Sequence, residues 1–391
     1  MPDAFINPNP VLLVLFILYV FCFLVQVVFY WAVFFRVSLI RDPGSGIRDI
    51  VTPDRVSHIS DHTTGVSVVI CAHNEYRQLQ RNLPIILEQD YPLFEVVVVD
   101  HASDDDTSIL LSELGEKYKH LKVVSIQHDL NFFTGKKFPL SIGIKSAKHE
   151  IILLTDADCR PAGNQWVRLM QKAFTDDKDI ILGYGPYEIR KGLLNALIRF
   201  ETIQVAVQYL SFAMAGIPYM GVGRNLAYRK RLFYQEKGFI SHYRINSGDD
   251  DLFINRVAHK KNTGVQRDPG SFTYSEPKES LGKWLTQKRR HMTTGTHYRF
   301  IHKFLLGLFG FSQLLFWVLL IWLLALKFAW IIDLSILLLL WISQYIVIGR
   351  SMKRLREKHL IGWIPLLELM TLALRIVITG TNFIVKPRKW K

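Results

Sequence analysis

Residues Val11 to Phe35 carry no charged side chain, and a helix of that length crosses a bilayer core of roughly 30 Å. Such a run constrains everything after it, because in hydrocarbon each backbone N–H and C=O must be bonded within the segment. No positive stretch precedes it, and the run is too long for a cleaved leader, so residues 1–40 read as a retained anchor followed by a linker over 41–64. A second apolar block begins near Phe304. Leu305 to Leu326 is one candidate span and Phe328 to Ile348, with Asp333 as its single charge, is another; together they form a helical hairpin within a C-terminal membrane region over 301–391. A further segment, 361–385, is interrupted by Gly362, Pro365, Glu368, Arg375 and Gly380. It could span, re-enter or lie in the interface, and its charges favour something other than a simple crossing.

The net charge is +14, and much of the excess lies beside these runs. Arg36, Arg41 and Arg48 follow the first. Lys288, Arg289, Arg290 and Arg299 precede the second, and Arg350, Lys353, Arg354, Arg356 and Lys358 follow the third. Basic residues near spans favour the cytoplasmic side. All these clusters share it if the N-terminus is outside and the middle of the chain is cytoplasmic, as in an integral protein of the cell (inner) membrane. The tail Lys386-Pro387-Arg388-Lys389-Trp390-Lys391 would prefer the same side. Attraction to anionic lipid head groups accounts for the clusters, so no nucleic-acid partner is expected. The three cysteines Cys22, Cys71 and Cys159 give no disulfide framework, which suits a reducing cytoplasm.

Between the membrane segments, residues 65–300 alternate strand and helix patterns. Val66–Ala72, Glu95–Asp100, Leu121–Ile126 and Glu150–Asp156 are near-continuous β-branched or apolar runs, with a helical stretch over Glu75 to Gln89 after the first. Buried strands separated by helical lengths imply a mostly parallel sheet covered on both faces, in which ligands bind beyond the carboxyl ends of the strands. Those ends carry Ala72-His73-Asn74-Glu75, Asp100-His101-Ala102-Ser103-Asp104 and Asp156-Ala157-Asp158. The absence of G-x-G-x-x-G and of a P-loop argues against a dinucleotide oxidoreductase and a P-loop ATPase.

In a strand, residues two apart share a face, so Asp156 and Asp158 project together where the fourth strand ends. Like charges so placed repel unless a cation lies between them or one is protonated. They are either solvated turn acids or ligands of a hard divalent ion, Mg²⁺ or Mn²⁺, shared with a diphosphate. Asp100 can accept from the N–H of a base or cap the turn after it. Glu75 can serve the site or the dipole of the helix it begins. Lys136 and Lys137 are either cations for a diphosphate or a surface pair. Asp249-Asp250-Asp251, ahead of the apolar run LFINRVA, exceed what helix capping requires, and a positioned carboxylate is what a hydroxyl needs to lose its proton as it attacks. Before the hairpin, Trp284 to His291 contains Gln287, Arg290 and His291; Lys288 and Arg289 read as a positive-inside flank.

Taken in order, A-H-N-E, V-V-V-D, T-G-K, D-A-D, D-D-D-L and a Q-x-x-R box resemble a membrane-associated family 2 glycosyltransferase of the GT-A fold, over roughly residues 65–300 plus the hairpin. The resemblance implies that Asp100 contacts the nucleotide base and Lys136 the diphosphate, with Ala72, Asn74 and Glu75 in the nucleotide-sugar site. It implies Asp158 as the metal ligand with Asp156 beside it. Asp249 aligns with the catalytic base, and a one-residue slip gives Asp250. Gln287, Arg290 and His291 match the box that clamps the diphosphate and borders the acceptor. Gly221, Gly223 and Asn225 fall in a Gly-rich loop near the acceptor. Two departures stand out: His101 replaces a second Asp after Asp100, and His291 replaces the Trp that ends the box.

The expected activity is inverting, metal-dependent sugar transfer from a nucleotide diphosphate sugar, preferably a UDP-sugar, to a lipid-linked or membrane-proximal acceptor. Glycolipid or cell-surface polysaccharide synthesis is the setting. A processive synthase of the cellulose, hyaluronan or poly-N-acetylglucosamine type is the alternative. A non-catalytic, membrane-anchored nucleotide-sugar binding protein is the alternative of another class, and it predicts loss of an acid cluster that is present here.

Overall fold

The computed structural model describes residues 9–39, 64–127, 135–245 and 247–384. The linker with Arg41 and Arg48, the segment Asn131 to Thr134 and the basic tail Lys386 to Lys391 lie outside the described residues.

Strand β1 (Val66–Ala72) pairs in parallel with β2 (Phe94–His101) and β4 (Ile151–Leu154), and β2 pairs in parallel with β3 (Leu121–Ile126). Their β-branched runs favour the pleated, doubly buried position. The chain then departs from a purely parallel sheet. Strand β7 (Leu226–Arg229) runs antiparallel between β4 and β6 (Ile180–Leu182), and β8 (Thr263–Val265) closes the far edge. The order is β3-β2-β1-β4-β7-β6-β8. A two-stranded sheet pairs β5 (Cys159–Pro161) with β9 (Thr273–Ser275) and fixes the turn after Asp158.

Alternate residues of the strands feed separate cores. Val68, Ile70, Val96 and Val98 pack with α2 (Tyr76–Leu87), α3 (Thr107–Lys117) and α5 (Trp166–Lys172). Val69 and Val97 face α4 (Lys137–Ser146) and join a core that continues without a break to Phe29, Phe34 and Tyr19 of the N-terminal helix. Gly143 lets α4 lie close, since a Cβ there would sit 2.6 Å from Val69 Cγ1.

Helix α6 (Leu193–Met214) has no counterpart among the expected elements. It is apolar on most sides, burying Phe200, Ile203, Val207 and Leu210, and it joins the sheet to the membrane helices. Arg199 on α6 forms a buried ion pair with Glu357. The remaining elements are α7 (Lys230–Gln235), α8 (Asp251–Val257) and α9 (Leu281–His291), followed by the C-terminal helices.

Among the described residues, four helices are long and apolar enough to cross a membrane: α1 (Pro10–Ser38, with a π turn over Phe29–Phe34), α10 (Phe300–Ala325), α11 (Trp330–Arg354), and the Lys358–Asn382 stretch, which takes in most of α12 (Ile364–Ile384). Helix α12 is continuous despite the expected interruptions. Pro365 sits in its first turn, where a missing N–H costs nothing. Glu368 is 3% exposed and accepts from Gln313 Nε2 at 2.7 Å and Gln344 Nε2 at 2.8 Å. Arg375 donates to Gln204 on α6 at 2.9 Å. The residues flanking α12 also reach the α/β domain, Glu357 at Arg199 before it and Asn382 near its end, where its side chain accepts from Arg289 Nε on α9 at 2.9 Å.

Candidate active site

The carboxyl ends of β1, β2 and β4 meet at one edge, as parallel pairing requires. Ala72 lies opposite Asp100 in register. Asp100 is 3% exposed; its Oδ2 accepts from Ser108 Oγ at 2.5 Å and its Oδ1 is buried without a hydrogen bond. That orphan acceptor suits a donor N–H. Asn74 adopts φ 57° and its side chain is engaged in the neighbouring loop, accepting from the Asp104 N–H at 2.9 Å. Burial and the Asp158 carboxylate push Glu75 up to about 7.

Asp156 and Asp158 follow β4 with Cys159, and one ligand atom from each lies within 4.8 Å of the others. Burial and the Asp156 carboxylate push Asp158 above the usual carboxylate range. Asp156 goes the other way: burial opposes its charge, but its ion pair with Lys136 outweighs that and holds it down. The Cys159 thiol, pushed well up by burial and Asp158, stays protonated and lies 3.4 Å from Asp158 Oδ1. Two crowded carboxylates beside a neutral thiol make an oxygen donor set for a hard divalent cation, whose charge would relieve their repulsion.

The adjacent lysines diverge. Lys136 reaches Asp156. Lys137 is 4% exposed, and its ammonium donates to the carbonyls of His242 at 2.8 Å, Ile245 at 2.5 Å and Ser247 at 2.7 Å. With its three protons so occupied, Lys137 is no diphosphate ligand, as the sequence allowed, but the clasp of the turn leading into the acid cluster. Lys137→Met is expected to strand three carbonyls at about 1–3 kcal/mol for each one left buried, lowering the melting temperature and turnover together; an unchanged melting curve would contradict the clasp.

The three acids also separate. Asp251 accepts from Tyr298 OH at 2.7 Å, from Thr294 Oγ1, and from the Leu252 N–H at 2.7 Å. Asp250 caps α8, accepting from the Asp251 N–H at 2.7 Å, and its Oδ2 accepts from the Gly223 N–H at 2.7 Å. Asp249 makes no hydrogen bond to the described residues, and it lies within electrostatic reach of Lys136, Arg290 and Lys137. Burial, Asp249 and Asp251 push Asp250 up to about 8, from an ordinary 3.8. Between those values the folded protein binds a proton that the unfolded chain has lost, so this residue lowers stability as pH rises. Asp250→Asn keeps an acceptor for Gly223 and should flatten that decline. Melting curves from pH 5 to 9 check it: the variant should gain on the wild type toward alkaline pH.

Helix α9 is capped by Ser280 and shows Gln287, Arg290 and His291 on one face, at the i, i+3, i+4 spacing. Gln287 Oε1 is buried without a hydrogen bond. Burial lowers the Arg290 pKa while Asp249, Asp156 and Asp250 draw it up, and His291 is exposed within electrostatic reach of Asp156. Lys288 and Arg289 are more than a positive flank: Lys288 pairs with Glu201 on α6 at 2.5 Å and Arg289 bonds α12.

In the Gly-rich loop, Gly221 is packed against Leu226 and Leu182, and Gly223 supplies the N–H to Asp250. Asn225, expected near an acceptor, is 0% exposed. It accepts from Trp166 Nε1 at 3.1 Å and donates to the carbonyls of Tyr184 and Ser271 at 2.9 and 2.7 Å, inside the core. The member of this loop that sequence reasoning missed is Arg224. Its guanidinium lies 4.4 Å from the Tyr187 ring centroid, donates to Ser275 Oγ at 3.3 Å and is felt by Asp156 and Asp158. A charged residue directly after the second glycine of this loop was the available signal.

A mostly parallel α/β domain with an acid pair at the sheet edge, a lysine beside it and an acid cluster opposite defines a glycosyltransferase of the GT-A fold, here joined to apolar membrane-type helices. Residues 67–246 match the family described as Glycosyl transferase family 2, and the central domain belongs to that family. Over 236 residues the chain is 28% identical to the "Probable glycosyltransferase YdaM" of Bacillus subtilis, covering 58% of this chain and 54% of that protein, about half its length. It is 32% identical over 94 residues to a poly-beta-1,6-N-acetyl-D-glucosamine synthase of Staphylococcus epidermidis, 24% of this chain and 22% of that one. To a beta-monoglucosyldiacylglycerol synthase of Trichormus variabilis it is 28% identical over 139 residues, 35% of this chain and 28% of that one. The mannosyltransferase of Pyrobaculum calidifontis, solved with GDP-Man and Mn²⁺, shares the fold with a TM-score of 0.55 and 18% identity, over 88% of this chain and 98% of that one.

Proposed function

We propose that the protein transfers a sugar, with inversion, from a nucleotide diphosphate sugar (a UDP-sugar first) to a lipid-linked or membrane-proximal acceptor, on the cytoplasmic side of the cell membrane. One observation carries this reading: of three consecutive acids, two are held by the fold, while Asp249 makes no hydrogen bond to the described residues and faces the cations Lys136 and Arg290. Asp249 would take the proton from the attacking hydroxyl as the acceptor oxygen displaces the diphosphate from the opposite face. Lys136 would orient the diphosphate and balance its charge, Arg290 would add a planar cation, and Asp100 Oδ1 would accept from the base. Asp158 and Asp156 would hold Mg²⁺ or Mn²⁺, which when bound supplies Lewis-acid stabilisation of the departing diphosphate.

The junction of active site and membrane helices supports a lipid-linked acceptor and glycolipid synthesis. The likeness to the poly-N-acetylglucosamine synthase favours a processive polymerase as the second reading. Hydrolysis and transfer assays with UDP- and GDP-sugars, with and without Mn²⁺, test the activity. Turnover of none of them would overturn it. Product length separates the readings, since one sugar per acceptor supports single transfer and a ladder of polymers supports the second.

A further inference from the structure

The antiparallel pairing of β4 with β7 sets Leu154 opposite Leu226. Two residues beyond that pair both segments have left the ladder, one at Asp156 and the other at Arg224. Thr155 Oγ1 still bonds the Arg224 carbonyl there, at 3.0 Å. Lys136 reaches Asp156 from the start of α4, which packs on β1 and β2, whereas β7 lies on the other flank of β4. The acid pair is thus bracketed by two cations.

Arg224 is firmly mounted. Its carbonyl also accepts from Thr273 Oγ1 at 2.8 Å, and Asn225 beside it is tied into the core. The half-buried guanidinium lies over Tyr187 and donates to Ser275 Oγ, and a backbone bridge joins Tyr187 to Ser275. Gly185 makes the room: a Cβ there would sit 3.2 Å from Arg224 Cβ and 3.5 Å from its Nε.

So held, the group is short of partners. A guanidinium offers five N–H donors in a planar fork, and the bond to Ser275 uses one of them. Asp156 and Asp158 feel its charge, but neither pairs with it, and Asp156 is engaged by Lys136. A stack on one aromatic ring is a small return for a charge partly removed from water.

The charges around the acid pair point to what would complete it. Lys136, Arg224 and a divalent ion, set against Asp156 and Asp158, leave two positive charges unanswered. Arg290 and Lys278 each answer another acid, Asp249 and Glu75. Each phosphate of a nucleotide diphosphate sugar keeps one negative charge, as in a nucleic-acid backbone, so the diphosphate closes the balance. The fork of Arg224 is also the shape that meets two phosphate oxygens at once. Direction follows from the strand order β2-β1-β4-β7. With the base at Asp100 on β2, a nucleotide laid across β1 and β4 meets Arg224 last, at the phosphate farthest from the base.

We propose that Arg224 binds the donor, its unused edge holding the phosphate that carries the sugar, on the side of the acid pair away from Lys136. This rests on the sugar-transfer reading and adds to it an opposed cation, so that the diphosphate is clamped from both flanks.

Calorimetric titration of the full-length protein in nanodiscs with Mn²⁺ compares UDP with UMP, and GDP with GMP. Arg224→Gln should weaken the diphosphate by about 10–100-fold, the worth of hydrogen bonds to a charged group, and leave the monophosphate within about twofold. Arg224→Lys, which keeps the charge without the fork, should fall between. Equal losses for both nucleotides would make Arg224 a prop for Tyr187 and overturn the proposal, as would no loss at all. Phenylglyoxal, which modifies arginine, makes the same test in wild-type protein, however the variants fold. The diphosphate should protect Arg224 where the monophosphate does not. Binding of the diphosphate with Arg224 left unprotected would overturn the clamp alone. Wild-type protein that binds neither diphosphate would overturn the transfer reading together with the clamp.

Discussion

Asp249→Asn is expected to lower turnover by about 10²–10⁴-fold, the range a positioned general base contributes, with nucleotide-sugar affinity nearly unchanged. The asparagine keeps the volume and one acceptor but cannot hold the proton. The turn should survive, because Lys137 clasps the preceding carbonyls and Asp250 and Asp251 carry the bonds to Gly223, Thr294 and Tyr298. The control is Asp250→Asn, which should lose far less. Turnover by Asp249→Asn within a few-fold of the wild type, or a larger loss in Asp250→Asn, would move the base one residue along.

Asp158→Ala should abolish the effect of Mn²⁺ on donor binding. In the wild type the two carboxylates repel, and Asp158 bears the strain while Lys136 neutralises Asp156. A cation joined to a diphosphate resolves that repulsion. Removing supporting groups around a metal already costs about 10–100-fold in affinity, so loss of a direct ligand should cost at least that much. Titration of the UDP-sugar with and without Mn²⁺ reads it directly. A variant whose affinity still rises with Mn²⁺ to the wild-type extent would remove Asp158 from the metal site.

Much of this was legible along the chain. The runs Val66–Ala72 and Leu121–Ile126 coincide with strands because β-branched residues between turn signals leave little choice. Asp156 and Asp158 were legible as a pair but not for the expected reason: β4 ends at Leu154, and the two acids meet in the turn before β5 rather than by alternation along a strand. What was not legible depends on partners distant in sequence. Nothing local distinguishes Lys136 from Lys137; their roles follow from which carbonyls and carboxylates the fold brings to each. Asn225 looked like a loop residue beside two glycines, yet it ties Trp166, Tyr184 and Ser271 together in the core. Among Asp249, Asp250 and Asp251, only the positions of Gly223, Thr294 and Tyr298 show which are engaged. The charges of the 361–385 segment pointed away from a simple crossing, yet it is long and apolar enough to cross, and its charged residues are engaged by partners on other helices, Glu368 by Gln313 and Gln344 and Arg375 by Gln204.

The contacts of Arg199 with Glu357 and of Arg289 with Asn382 have a mechanical consequence. They brace the α/β domain to the apolar helices at separate points, so on the proposed reading the distance from a bilayer surface to Asp249 would be built in, like the fixed height of a tool rest. An acceptor would then be selected by where its hydroxyl sits above the membrane as well as by its chemistry. A lipid whose reactive oxygen rides one sugar ring too high would pass over the base untouched.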